Sequence, residues 1–111
     1  MIKFTQVYEL LQKVGIPATY KQFNGPKQEI PDPPYIVYYE TRSSNIGADN
    51  VTYTEMLPVI VELYTDICRD LELERRIKSL LTESGLYFNT DHGDLPDEGV
   101  HIAYFEFSII E

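Results

Sequence analysis

Apolar residues near the start of the chain recur at the spacing of an α-helix. Phe4, Val7 and Leu11 lie three or four residues apart, which places them on one face of a helix. Gly15 follows as a stop signal, because glycine readily takes the left-handed conformation that ends many helices. The pattern predicts a first amphipathic helix over residues 4–14.

A second helix is predicted over residues 70–84. Asp70 suits the N-cap position, since its carboxylate can accept hydrogen bonds from the free N–H groups of the first turn. Ile77 and Leu81 belong to an apolar stripe at helical spacing, and Gly85 follows as the stop signal. We expect this stripe to pack against a sheet.

Runs rich in β-branched and aromatic residues predict strands in the rest of the chain. The predicted strands cover residues 18–23, 35–41, 51–65, 86–90 and 100–110. The polar segment 42–50 is predicted to be an exposed loop, and the acidic segment 91–99 is predicted to be a turn. The strands at 35–41 and 51–65 are expected to form an antiparallel hairpin.

The alternation of side chains gives the predicted sheet two different faces. Val59 and Leu63 lie on one face of their strand, whereas Glu62 and Tyr64 lie on the other. The element order α-β-β-β-α-β-β, without a repeat or a linker, predicts a single α+β domain over residues 1–111. In this domain a mainly antiparallel sheet is packed on one face by two helices. The other face mixes tyrosine, glutamate and isoleucine, which suits a partner surface.

Composition and charge argue against two classes of protein, disordered chains and sequence-specific nucleic-acid-binding proteins. Apolar residues make up 43% and charged residues 24% of the 111 residues, which excludes a disordered chain. The net charge of −9 is uneven, because residues 1–30 carry +2 and residues 31–111 carry five basic and sixteen acidic side chains. Binding to a phosphate backbone needs clustered cations, so we expect no sequence-specific nucleic-acid binding. Surplus negative charge can instead line a passage through which DNA slides.

The sequence also leads to an expectation about where in the cell the protein is found. No apolar run approaches the roughly 18 residues that cross a bilayer, so we expect no membrane partner. The first residues do not resemble a signal peptide. The single Cys68 cannot form an intrachain disulfide, which is typical of a protein in a reducing cytoplasm.

One segment concentrates residue types that are used in catalysis. Asp91, His92 and Asp94 are followed by His101, and imidazole and carboxylate groups together can bind a metal ion or exchange protons. The same composition is typical of a solvated hairpin tip. We therefore expect a protein that is not an enzyme and has no cofactor and no resident metal. A small metal-dependent enzyme that uses these four residues is the alternative.

The predicted strands are rich in tyrosine. Half-buried packing accounts for tyrosines in strands, but tyrosine also supplies large contact areas at protein interfaces. On the second interpretation the candidate interface residues are Tyr35, Tyr38, Tyr39, Tyr53, Glu62, Tyr64, Tyr104 and Glu106.

The order of elements and a few apolar positions together carry a resemblance to a known family. The segments concerned are the strand at 34–38, the strand at 59–65, the helix with Glu74, Ile77 and Leu81, residues 85–87, and the last strand ending at 104–109. Over nearly all of its length the chain resembles the tail terminator, or tail-completion, proteins of long-tailed bacteriophages and prophages.

This resemblance implies a structural role in the virion tail. Proteins of the family form a ring, usually a hexamer, on the head-proximal end of the tail tube, where they end tube growth and dock the head connector. The implied partners are further copies of the chain, the tail tube protein and the head–tail connector protein, with assembly in the cytoplasm of the bacterial host. A head–tail stopper or adaptor protein is the neighbouring alternative, and a host-side binding module is a third.

Overall fold

The computed structural model describes residues 3–21, 31–41 and 56–110, and these ranges contain two α-helices and five strands. The helices are α1 (Phe4–Gln12) and α2 (Leu71–Glu83). The strands are β1 (Ala18–Tyr20), β2 (Tyr35–Glu40), β3 (Met56–Asp66), β4 (Phe88–Leu95) and β5 (Val100–Ile110). A short 3₁₀ helix, Pro96–Glu98, lies between β4 and β5.

The strands form one sheet in the order β1-β2-β3-β5-β4. Neighbouring strands are antiparallel except for the short edge strand β1, which pairs with β2 in parallel. The predicted hairpin is present as β2 and β3, whose register pairs Tyr35 with Tyr64. The structure therefore confirms the predicted α+β class and its mainly antiparallel sheet.

Both helices cover the same face of the sheet. Val7 and Leu11 of α1 and Ile77 of α2 are at most 1% exposed and belong to one core cluster with Val61 and Phe105 of the sheet. These apolar side chains lie at the alternating strand positions and helical spacings that the sequence predicts. Removing them from water is the main favourable contribution to folding.

The ends of α2 are fixed by local hydrogen bonds. The Asp70 carboxylate accepts a hydrogen bond from the Leu73 N–H at 3.1 Å, as its predicted capping role requires. Gly85 has a φ of 79°, the left-handed conformation that ends the helix. Arg76 Nη1 donates to the Val14 carbonyl oxygen at 3.2 Å and so ties α2 to the end of α1.

The prediction for the acidic segment 91–99 is wrong over its first half. β4 continues through this segment, pairing Asp91 with Tyr104 and Asp94 with His101. The chain reverses only after Leu95. An edge strand has one side open to water and so tolerates the polar residues and glycine that are otherwise typical of a turn.

Parts of three predictions lie outside the described residues. They are the loop at 42–50, residues 51–55 of the third predicted strand, and residues 22–23 of the first. Within the ranges that the structure describes, no helix is long and apolar enough to cross a membrane.

Candidate functional site

The face of the sheet that lies opposite the helices forms the first candidate site. It is assembled from alternate residues of β2, β3, β5 and β4, because successive side chains of a strand point to opposite faces. We call it the open face, and its residues include Tyr35, Tyr39, Ile60, Glu62, Tyr64, Asp91, Tyr104 and Glu106, with the buried Val37 and Ile102 between them.

Glu62 lies at the centre of the open face and binds two tyrosines. The Tyr39 hydroxyl donates to Glu62 Oε2 at 2.6 Å, and the Tyr64 hydroxyl donates to Glu62 Oε1 at 2.8 Å. Each carboxylate oxygen thus accepts a hydrogen bond within the chain. A carboxylate accepts hydrogen bonds in preferred directions, so the two phenol rings are held in fixed positions.

The tyrosines of the open face hold their protons strongly. Burial raises the pKa of Tyr39 and of Tyr64, and the hydrogen bonds to Glu62 raise both further. The pKa of Tyr104 is raised by burial and then by the nearby negative charge of Glu62. Tyr35 stacks on Tyr64 with ring centroids 4.8 Å apart. The face therefore presents neutral, ordered phenol rings around a negative charge.

Six of the eight predicted interface residues share this face. They are Tyr35, Tyr39, Glu62, Tyr64, Tyr104 and Glu106. Tyr53 lies outside the described residues. The structure thus brings together a set of residues that are scattered over three predicted strands.

Tyr38 is a correction to the predicted set. It is 6% exposed and lies on the helix side of the sheet, where its ring contacts the rings of Phe4, Tyr8 and Tyr20. Its position in β2 between Val37 and Tyr39 requires this, because neighbouring strand residues point to opposite faces. Tyr38 is therefore a core residue and not part of the open face.

The second candidate site lies on the helix side of the sheet, where α2 begins. We call it the histidine cluster, and it consists of Arg69, Glu74, His92, Asp94 and His101. The antiparallel register of β4 and β5 brings His92 and Asp94 beside His101. The turn after β3 brings Arg69, which has a φ of 70°, an uncommon value for a residue with a side chain.

Hydrogen bonds run through the histidine cluster in one direction. Arg69 Nη2 is 3.3 Å from His92 Nε2, and an arginine can only donate. His92 must then carry its proton on Nδ1, which lies 3.2 Å from His101 Nε2. His101 in turn donates from Nδ1 to Asp94 Oδ1 at 2.6 Å. With both imidazoles neutral, every contact has one donor and one acceptor.

Glu74 is the buried charge of the cluster. Its side chain is 3% exposed and receives two hydrogen bonds from Arg69, at 2.9 and 3.0 Å. The Arg69 guanidinium holds the pKa of the Glu74 carboxyl below its usual range, although burial acts in the opposite sense. Glu74 is therefore a carboxylate at neutral pH, and a carboxylate can bind a cation.

The structure brings together three of the four residues proposed for a metal-dependent enzyme. His92, Asp94 and His101 meet on the helix side, whereas Asp91 belongs to the open face. Sequence reasoning missed Glu74 and Arg69 as members of this cluster. The only signal for Glu74 is its position one residue after Leu73, at the border of the apolar stripe of α2.

The two candidate sites differ in what they can do. The open face offers aromatic contact area with negative charge, whereas the histidine cluster offers nitrogen and oxygen ligands at the edge of the core. No protein-family model and no curated protein matches the chain.

Proposed function

We propose that the chain is a structural protein of a bacteriophage tail. In this proposal it forms a ring, most simply a hexamer, that caps the head-proximal end of the tail tube, ends tube growth and offers a docking surface for the head connector. The observation that carries the proposal is the open face, a surface of ordered tyrosines on a sheet whose other face is closed by helices.

The fold supports the proposal through its order of elements. The resemblance to tail terminators rests on a first helix, a proline-rich entry into a strand, a second long strand, a helix and a last strand. The structure has α1, then β2 and β3, then α2, and then β4 and β5 in the same order. Pro34 directly precedes β2, at the strand entry on which the resemblance draws.

The open face has the chemistry of a subunit contact. Tyrosine gives large contact area with few rotatable bonds, so little conformational freedom is lost when it is buried. Glu62 is already bonded to Tyr39 and Tyr64 within the chain, so burying this part of the face leaves its carboxylate oxygens with partners.

In a ring, each subunit contacts the next one head to tail. Such a contact joins two different surfaces, so each subunit must carry both of them. The described strand residues of the open face include the acids Glu62, Asp91 and Glu106 and no lysine or arginine. A groove lined by Lys13, Arg75 and Arg76, together with Glu72 and Glu83, lies on the outer side of the helices. We place the ring contact between the open face of one subunit and this groove of the next.

Complementation of a virus that lacks the gene tests the proposal. Without the protein, we expect tails of uncontrolled, excessive length in electron micrographs, and the wild-type chain should restore a uniform length. Tyr104→Lys should fail to restore it, because the added cation interrupts the aromatic surface and faces the Lys13, Arg75 and Arg76 side chains of the groove. The variant should remain folded by circular dichroism, since Tyr104 is only partly buried.

The matched control is Tyr87→Lys, which makes the same substitution at a residue that is 96% exposed and precedes β4, at the margin of the sheet near Glu106 and not beside Glu62. It should restore tail length as the wild type does. If neither variant restored a uniform tail length, the loss caused by Tyr104→Lys would not be specific to the open face. Tails of normal length beside unjoined heads in the virus without the gene would contradict the terminator and indicate a stopper or adaptor.

A further inference from the structure

We propose that Glu74, His92 and His101 form a binding site for a divalent transition-metal ion of the zinc type. One carboxylate oxygen and two imidazole nitrogens, one from each residue, lie within 4.8 Å of one another. Two imidazoles and a carboxylate, with water as a fourth ligand, are a set that zinc commonly uses. The site lies on the helix side of the sheet and does not depend on the proposed ring.

The separation of the two nitrogens suits a bound ion. His92 Nδ1 and His101 Nε2 are 3.2 Å apart. Two nitrogens at the usual zinc distance in a tetrahedral arrangement lie about 3.3 Å apart. His92 is exposed, so its ring can rotate until both lone pairs point at one ion, while the buried His101 keeps its place.

Asp94 prepares His101 for metal binding. It accepts the His101 Nδ1 proton at 2.6 Å, which leaves Nε2 with the free lone pair. A carboxylate bound to the far nitrogen of a metal-binding histidine fixes the tautomer and orients the ring. Asp94 is therefore a positioning residue, and His101 is the ligand.

Arg69 supplies the positive charge that a metal ion would bring to Glu74. The arginine side chain is 39% exposed, so it can turn into solvent when the ion takes its place. His92 then gives up its Nδ1 proton and takes one at Nε2, the atom to which Arg69 donated. The imidazole stays neutral, and a dication replaces a monocation beside the buried carboxylate.

Metal binding at this site would join three elements. Glu74 lies in the first turns of α2, His92 in β4 and His101 in β5. β4 is an edge strand held in the sheet only through β5 in the described ranges. An ion bound to all three would fix this edge to the helix and stabilise the fold by mass action.

Calorimetric titration of the full chain with Zn²⁺, after treatment with EDTA, tests the site. We expect one ion per chain and a higher thermal midpoint in its presence. His92→Ala should weaken Zn²⁺ binding at least tenfold without unfolding the exposed edge. Asp94→Asn should weaken it about tenfold, the loss usual for a carboxylate that orients a histidine ligand.

Asp91→Ala is the matched control, because Asp91 neighbours His92 in the same strand and points to the open face. It should bind Zn²⁺ as the wild type does. Co²⁺ in place of Zn²⁺ should give the visible absorption of a four-coordinate ion in the wild type and in Asp91→Ala, but not in His92→Ala. Absence of Zn²⁺ binding by the wild type, or equal losses in Asp91→Ala and His92→Ala, would overturn the proposal.

Discussion

At the scale of single residues, Glu62 determines the character of the open face. A lone carboxylate in the middle of a strand would need water, and water would keep partner chains away. Here both oxygens accept hydrogen bonds from tyrosine hydroxyls, at 2.6 Å from Tyr39 and at 2.8 Å from Tyr64. The negative charge remains, but it is surrounded by phenol rings that a partner can contact.

This arrangement predicts a loss of stability at alkaline pH. Tyr39 and Tyr64 have pKa values raised above the ordinary value of 10.0, so the fold favours the neutral phenols. Their contribution is complete below about pH 10 and is lost as the pH rises toward the folded-state values. The urea midpoint should therefore hold steady up to about pH 10 and fall as the pH rises further, and the double variant Tyr39→Phe/Tyr64→Phe should show a smaller fall.

Tyr87→Phe is the control for this measurement, because Tyr87 is 96% exposed. It should keep the full pH dependence of the wild type. An equal fall in the double variant and in the wild type would show that ionisation of these two tyrosines does not control alkaline stability.

Only some residues of the histidine cluster can be predicted as site residues from the sequence. His92, Asp94 and His101 attract notice by their type and their closeness in sequence. The sequence does not single out Glu74, because acidic residues early in a helix usually face water. Its burial follows from the docking of α2 and from the left-handed turn that directs Arg69 back onto it, and both depend on tertiary structure.

At the scale of elements, periodicity predicts most of the fold. α2 was predicted over residues 70–84 and extends over Leu71–Glu83, because its cap, apolar stripe and stop signal agree. β4 shows where local signals fail. Its Asp and Gly residues indicate a turn, but pairing with β5 supplies the hydrogen bonds that keep Phe88–Leu95 extended. The parallel pairing of β1 likewise depends on contacts distant in sequence.

The N-cap of α2 gives a prediction about this element. Asp70→Ala removes the acceptor for the Leu73 N–H and should lower the free energy of unfolding by about 1 kcal/mol. Urea unfolding followed by circular dichroism measures the change. Asp70→Asn keeps a side-chain oxygen at the cap and should lose less, so equal losses in the two variants would show that the hydrogen bond is not what stabilises the helix end.

At the scale of the whole molecule, the sheet separates two kinds of chemistry. The helix side carries the core and, at one end, the histidine cluster, whereas the opposite side presents tyrosines and acids. In our two proposals, one face makes contacts between subunits and the other binds a metal ion that stabilises the fold. The net charge of −9 on the chain suits the proposed ring, whose opening would have to let DNA slide without binding it.

Native mass spectrometry of the full chain, alone over a concentration series and mixed with tail tubes, tests the central claim most directly. A ring-forming cap predicts one closed oligomer of fixed size, a hexamer in the simplest case, that persists on dilution or forms when tubes are added. Tyr104→Lys should shift the chain to monomer, whereas Tyr87→Lys should not. A wild-type chain that stays monomeric in every sample, including those with tubes, would contradict the account.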